Sequence, residues 1–160
     1  MNAYDELLAR LKDIDLVGQI GGLLGWDQEV LMPPKAAALR AEQLSWISKT
    51  GHEKLTDPRI GELLEVLEQK DNLDEVQRGN IRLARDSYDK ATKLPTDFVA
   101  EMAMHKSKSQ ISWTRARAEN DFSIFRASSC SAKSPIKKMQ LIKVSKTNTK
   151  IKIRFSSKSF

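Results

Sequence analysis

"YDELLARLKDIDLVGQIGGLLGWDQEVLMPP", residues 4–34, is the stretch on which the fold turns. Leu7, Leu8, Leu11, Ile14, Val17, Ile20, Leu23 and Leu24 recur at helical spacing. Gly18, Gly22 and Gly25 share one stripe of that helix, where another backbone could approach closely. Three glycines weaken an isolated helix, so a packing partner is expected to compensate. From about Ile20 onward the helix is apolar almost all round, the pattern of a buried helix, until Pro33 and Pro34 stop it.

Inside that apolar half stand Trp26, Asp27, Gln28 and Glu29. Asp27 has only Leu23, Leu24, Val30 and Leu31 three and four positions away. A carboxylate buried without a partner is costly, so the polar trio implies either a buried polar network or the wall of a wet cleft. Asp27 and Glu29 do not read as an acid/base pair, because residues two apart on a helix point about 200° apart. Arg40 is the most economical partner for Asp27: a hairpin at Pro33 and Pro34 would bring a second helix back along the first, and a guanidinium can bind a carboxylate bidentately.

Outward from this stretch the chain reads as further helices separated by proline-containing turns. A second helix is expected from Lys35 to about Leu55, through Leu39, Leu44, Trp46 and Ile47. "LTDPRIGELLEVLEQ" restarts with Thr56 or Asp57 as cap, Pro58 in the first turn, and Ile60, Leu63, Leu64 and Leu67 as the apolar stripe. Asn72 or Asp74 caps a fourth helix running to about Leu94. Thr96 or Asp97 starts a fifth, with Phe98, Met102, His105, Ser109 and Trp113 at near four-residue steps. Asp121 would cap a sixth, "DFSIF", which the pattern does not continue. The fold class is therefore all-α, a bundle of about five helices followed by an irregular basic tail.

Charge divides the chain. All 21 Asp and Glu lie between Asp5 and Asp121, and residues 1–125 are net −4, whereas residues 126–160 carry ten Lys or Arg and no acid. The overall +6 is thus a property of the tail, and a nucleic-acid surface is not implied for the main body. For the tail three readings are open: a disordered basic extension, a nucleic-acid arm, or an A/T-rich stretch read out of frame. The single cysteine, Cys130, excludes an internal disulfide framework and fits a reducing compartment. Asp5 and Glu6 precede the first apolar positions, unlike a secretory signal, and the uncharged run Leu16–Trp26 is too short to span a bilayer. No membrane association and a cytoplasmic location are expected.

"LGWDQEVLMPPKAAALRAEQL", "HEKLTDPRIGELL", "YDKATKLPTDFVAEM" and "WTRARAENDF", in that order over residues 1–125, resemble the opening part of the thermostable carboxypeptidase Taq family of HEXXH metallocarboxypeptidases. The resemblance implies the amino-terminal helical segment of a longer, α-helical, homodimeric peptidase that releases C-terminal residues from peptides with one divalent metal, normally zinc. That chemistry needs two His one helical turn apart, a Glu general base beside the first, and a further carboxylate ligand.

The motif is not in this sequence. "HEKLT", residues 52–56, supplies His52 and Glu53 but has Thr56 where the second imidazole belongs, and the other histidine, His105, falls in a different helix. A solvated His52 and a core-edge His105 are the expected readings. No residue is assigned to catalysis or to metal binding, and zinc is expected in the intact family but not on this chain. Trp26, Trp46 and Trp113 are expected as core or interface anchors rather than as a stacking platform for bases. The function expected is that of an amino-terminal carboxypeptidase fragment, inactive alone, whose cleft or polar network would involve Trp26, Asp27, Gln28, Glu29 and Arg40. The alternative is a non-enzymatic helical interaction module whose basic tail binds nucleic acid or another acidic partner.

Overall fold

The computed structural model describes residues 2–129. Among these there is no strand, and the elements are α1 (Ala3–Val30), a 3-10 turn (Pro34–Ala36), α2 (Ala37–Leu55), α3 (Pro58–Glu68), α4 (Glu75–Ala91), α5 (Thr96–Ala118) and α6 (Phe122–Ser129). The chain divides into two compact units, Met1–Ser107 and Lys108–Phe160.

In the first unit α1, α3 and α4 each start at a side-chain cap. Asn2 accepts from the Asp5 backbone N–H to cap α1. At α3, Asp57 caps by accepting from the Arg59 N–H, and Pro58 occupies the position where a missing N–H costs nothing. α4 opens with a reciprocal capping box between Asp74 and Gln77. Pro33 and Pro34 stop α1, and the 3-10 turn delays α2 to Ala37.

The dry core lies where the amino-terminal half of α1 meets α3 and α4. It consists of Leu7, Ile60, Leu63, Leu64, Leu67, Ile81 and Ala84, with Tyr4, Leu11, Ile14, Leu73 and Tyr88 packed around it. All four residues of the α3 stripe are buried. Each fully buried leucine or isoleucine stabilises the fold by about 1.5–3 kcal/mol relative to exposure. Gly61 lets α4 approach closely: a Cβ there would stand 2.8 Å from the Tyr88 hydroxyl oxygen.

α2 returns antiparallel along α1. Arg40 lies beside Asp27, Ile47 beside Gly21, Gly51 beside Val17 and Lys54 near Asp13. The glycines that matter for this contact are Gly21 and Gly51, each facing a side-chain methyl at 3.4 Å from an added Cβ. At Gly18, Gly22 and Gly25, by contrast, an added Cβ would meet nothing within 4 Å, so the expected close approach on that stripe is not made.

Two further expectations are corrected. The second half of α1 is not buried: Ile20 and Leu23 are 51% and 64% exposed. Nor are the tryptophans core anchors, since Trp26, Trp46 and Trp113 are all exposed. Both corrections have the same physical origin. Helical periodicity shows which residues a helix can bury, not whether the atoms that would cover them are present.

In the second unit the described residues are 108–129. Asn120 ends α5 in the left-handed region, φ 51°, with the Asp121 N–H reaching back to the Ala116 carbonyl. Asp121 then accepts from the Ser123 N–H, and hydrogen bonding from the Ser123 side chain, with that N–H adding to it, holds its carboxyl below the usual range. This supports the short helix α6, stabilised by Phe122 and Phe125 one turn apart with ring centroids at 6.0 Å. A sixth helix therefore does develop, and it runs past Phe125 to Ser129. The rest of the expected basic tail, including Cys130, lies outside the described residues.

Candidate functional site

Asp27, Gln28 and Glu29 diverge, as three consecutive residues on a helix must, and each meets a different environment. Asp27 faces α2. Its side-chain Oδ2 accepts from Arg40 Nη2 at 2.6 Å, while its backbone carbonyl accepts from both the Leu31 and Met32 N–H groups at the end of α1. One residue thus closes α1 and fastens the helix that follows.

Arg40 reaches this point because the turn at Pro33–Pro34 places it one turn into α2, opposite the last turn of α1. Its Nη1 donates to the Leu24 carbonyl at 2.5 Å and its Nε to Gln43 Oε1 at 2.9 Å. The contact with Asp27 is therefore single, not the bidentate fork that the sequence allowed. With the Arg40 side chain only 12% exposed, removing it would leave a half-buried carboxylate and a carbonyl short of donors.

Gln28 faces α5. Its Oε1 accepts from the Ser107 hydroxyl at 2.5 Å, and its Nε2 donates to the Ser107 carbonyl at 3.5 Å. Ser107 is the one buried polar residue among those described. The sequence pattern does not include it: the stripe expected for α5 is Phe98, Met102, His105, Ser109 and Trp113, of which Phe98 is buried. The available signal was a hydroxyl between Ala103, Met104 and Ile111, apolar neighbours three and four positions away. Glu29 points away, exposed, with no hydrogen bond or ion pair among the described residues, and Trp26 is exposed beside it.

The same seam continues along α2. Ser45 Oγ donates to the Ala100 carbonyl at 2.9 Å. His52 is half-buried, not solvated as expected: its Nε2 lies 3.1 Å from the Ala91 carbonyl and its Nδ1 2.9 Å from Thr96 Oγ1. A carbonyl can only accept, so Nε2 carries the proton, and in the neutral ring Nδ1 accepts from the Thr96 hydroxyl. His52 therefore joins the end of α4 to the start of α5.

Both His52 nitrogens are thereby engaged, leaving no lone pair for a metal. Among the described residues no group of three or more His, Cys, Asp or Glu side chains could hold an ion. The donor set does not fit a metal centre. What the arrangement does chemically is orient helices: a polar seam from α1 and α2 fixes the first turns of α5 through directional bonds.

Comparison with known proteins gives a consistent set of likenesses. The family profile described as carboxypeptidase Taq (M32) metallopeptidase matches residues 6–134. Thermostable carboxypeptidase 1 of Thermus thermophilus is 32% identical over 124 residues, 75% of this chain and 24% of that protein. The crystal structure of BsuCP superposes with a TM-score of 0.76 at 28% identity, covering 80% of this chain and 26% of that one. The chain thus spans about a quarter of the length of these relatives. A separate, shorter likeness, 55% identical over 40 residues, is to tRNA pseudouridine synthase A of Pelagibacter ubique, covering 25% of this chain and 16% of that protein.

Proposed function

The chain belongs to the carboxypeptidase Taq (M32) metallopeptidase family, and from that premise we propose that it is the amino-terminal helical part of a zinc-dependent carboxypeptidase, without hydrolytic activity of its own. The observation that carries this reading is the α1–α2–α5 polar seam: its carboxylate, imidazole and hydroxyls are spent on one another, and none is left to activate water. No hydrolytic step is assigned to these residues. Their part in a complete, cytoplasmic, homodimeric peptidase is to set the pose of a helical wall, with the exposed Glu29 and Trp26 at its surface.

The reading is tested by incubating the purified chain with zinc or cobalt and a blocked dipeptide. The expected result is no release of the C-terminal amino acid. Release at about 1 s⁻¹ or faster, within the ordinary range of enzymes, would contradict it.

A second reading, that the basic end binds nucleic acid or another acidic partner, is favoured by charge. There residues 126–160 hold ten Lys or Arg and no acid. Binding of tRNA should be salt-sensitive and should vanish when residues 126–160 are removed. Equal tRNA affinity of the shortened chain would exclude this reading.

A further inference from the structure

Residues 1–125 are net −4, yet one cavity of the first unit is lined mostly by cations. It has a volume of about 370 Å³ and lies where the end of α3 and the turn after it meet α4. Its lining shares no residue with the α1–α2–α5 seam. Leu67 and Ile81, both buried in the dry core, and half-buried Leu73 form its apolar part.

The charged lining is Lys70, Arg78, Arg82 and Arg85 against Glu68 and Asp71. Arg85 is already spent: its Nε and Nη2 donate to the two Glu68 oxygens at 2.8 and 3.0 Å, and its Nη1 stands 3.9 Å from Asp89. Arg78 is aimed without being neutralised. Its Nε and Nη2 both donate to the Leu73 carbonyl, at 3.0 and 2.7 Å, which fixes the guanidinium plane but brings no negative charge to it. The side chains of Arg82 and Lys70 make no hydrogen bond or ion pair among the described residues. Three cations thus face the single carboxylate of Asp71, a local surplus of two positive charges.

Arg78, Arg82 and Arg85 stand three and four positions apart on one face of α4, where like charges repel. An anion seated among them removes that repulsion. A carboxylate would cancel half of the surplus, whereas a phosphomonoester carries about −1.5 to −2 at neutral pH and presents three acceptor oxygens to guanidinium N–H groups. The cavity sits at the small end of the range of ligand sites, about 300–1,000 Å³, so the organic part it admits is compact.

We propose that the α3–α4 cavity binds a small phosphomonoester, its phosphoryl group held by Arg78, Arg82 and Lys70 and its organic part resting on Leu73. The site stands whether or not the chain is part of a peptidase.

The test is titration of the full chain with phenyl phosphate, followed through the backbone amide shifts of Leu73, Arg78 and Arg82. These should move together and saturate with a Kd of about 1 mM or tighter. The double variant Arg78→Gln, Arg82→Gln should bind at least about tenfold more weakly. Lys137→Gln, Lys138→Gln removes the same charge from the basic end and should leave the Kd within about twofold. Glu68→Gln frees Arg85 and should tighten binding at least about twofold. Phenylacetate should bind at least about tenfold more weakly than phenyl phosphate, and inorganic phosphate at least about threefold more weakly. No saturable shift at these amides, equal weakening by the two double variants, or equal affinity for phenylacetate or inorganic phosphate would overturn the proposal. If the arginine variant loses helicity, Glu68→Gln decides: tighter binding supports the site, and unchanged or weaker binding overturns it.

Discussion

The two halves of α1 obey different rules. Its first half presents Leu7 to α3 and α4, where Ile60, Leu64 and Leu67 close a dry core with no exposure at all. Its second half, which holds all the glycines of the helix, leaves Leu23 and Val30 in the open and is held to α2 and α5 by hydrogen bonds. The difference is between non-directional burial, which gives stability, and directional polar contacts, which give pose. One helix can therefore be complete at one end and unfinished at the other.

Mutations should separate the halves. Leu64→Ala removes a fully buried side chain from the dry core and should cost about 2–5 kcal/mol in denaturant unfolding. Leu23→Ala, a chemically identical change in the open half, should fall within about 0.5 kcal/mol of the parent. Similar losses at both positions would erase the distinction. Gly61→Ala comes next: it forces a methyl against the Tyr88 ring and should cost about 1–3 kcal/mol, with Tyr88→Leu largely relieving the penalty.

Arg40→Leu probes the polar half. The Asp27 carboxylate and the Leu24 carbonyl lose their donor, and the melting temperature should fall by the equivalent of about 1–3 kcal/mol. An unchanged melting temperature would exclude a structural role for the pair. The smallest effect is at the surface of the finished end. There the Arg59 guanidinium, with Arg10 adding to it, holds the Glu6 carboxyl down to about 2 from its ordinary 4.5. The folded state keeps this charge while the unfolded chain protonates. Its contribution is therefore present above pH 4.5 and lost as the pH falls toward about 2. Arg59→Gln should flatten the stability profile in that window; an unaltered acid limb would show that the pair is fully screened.

Much of this architecture was legible because its causes are local. Asp57, Pro58 and Asp74 mark helix starts by their own chemistry, and the Ile60–Leu67 stripe is buried wherever α3 finds a neighbour. The Asp27–Arg40 pairing also followed from local logic: a double proline forces a hairpin, and the hairpin leaves few partners for a carboxylate. What escaped was non-local. The half-burial of His52 has no local signal, because nothing near it in sequence announces Ala91 or Thr96. Ser107 gives no distinct signal, since an isolated helical serine usually bonds its own preceding turn. α6 was discounted because its cap and ring pair occupy too few residues to generate a periodic signal. The exposure of Ile20 and Leu23 could not be read from periodicity, which marks what a helix can bury and not what covers it.

The contrast along α1 is tested most directly by hydrogen exchange, residue by residue, on the full chain. Amides of Leu7–Ile14 should exchange only through global unfolding, whereas those of Gly22–Val30 should open at least about tenfold more readily. Uniform protection from Leu7 to Val30 would contradict the division of this helix into a finished and an unfinished half.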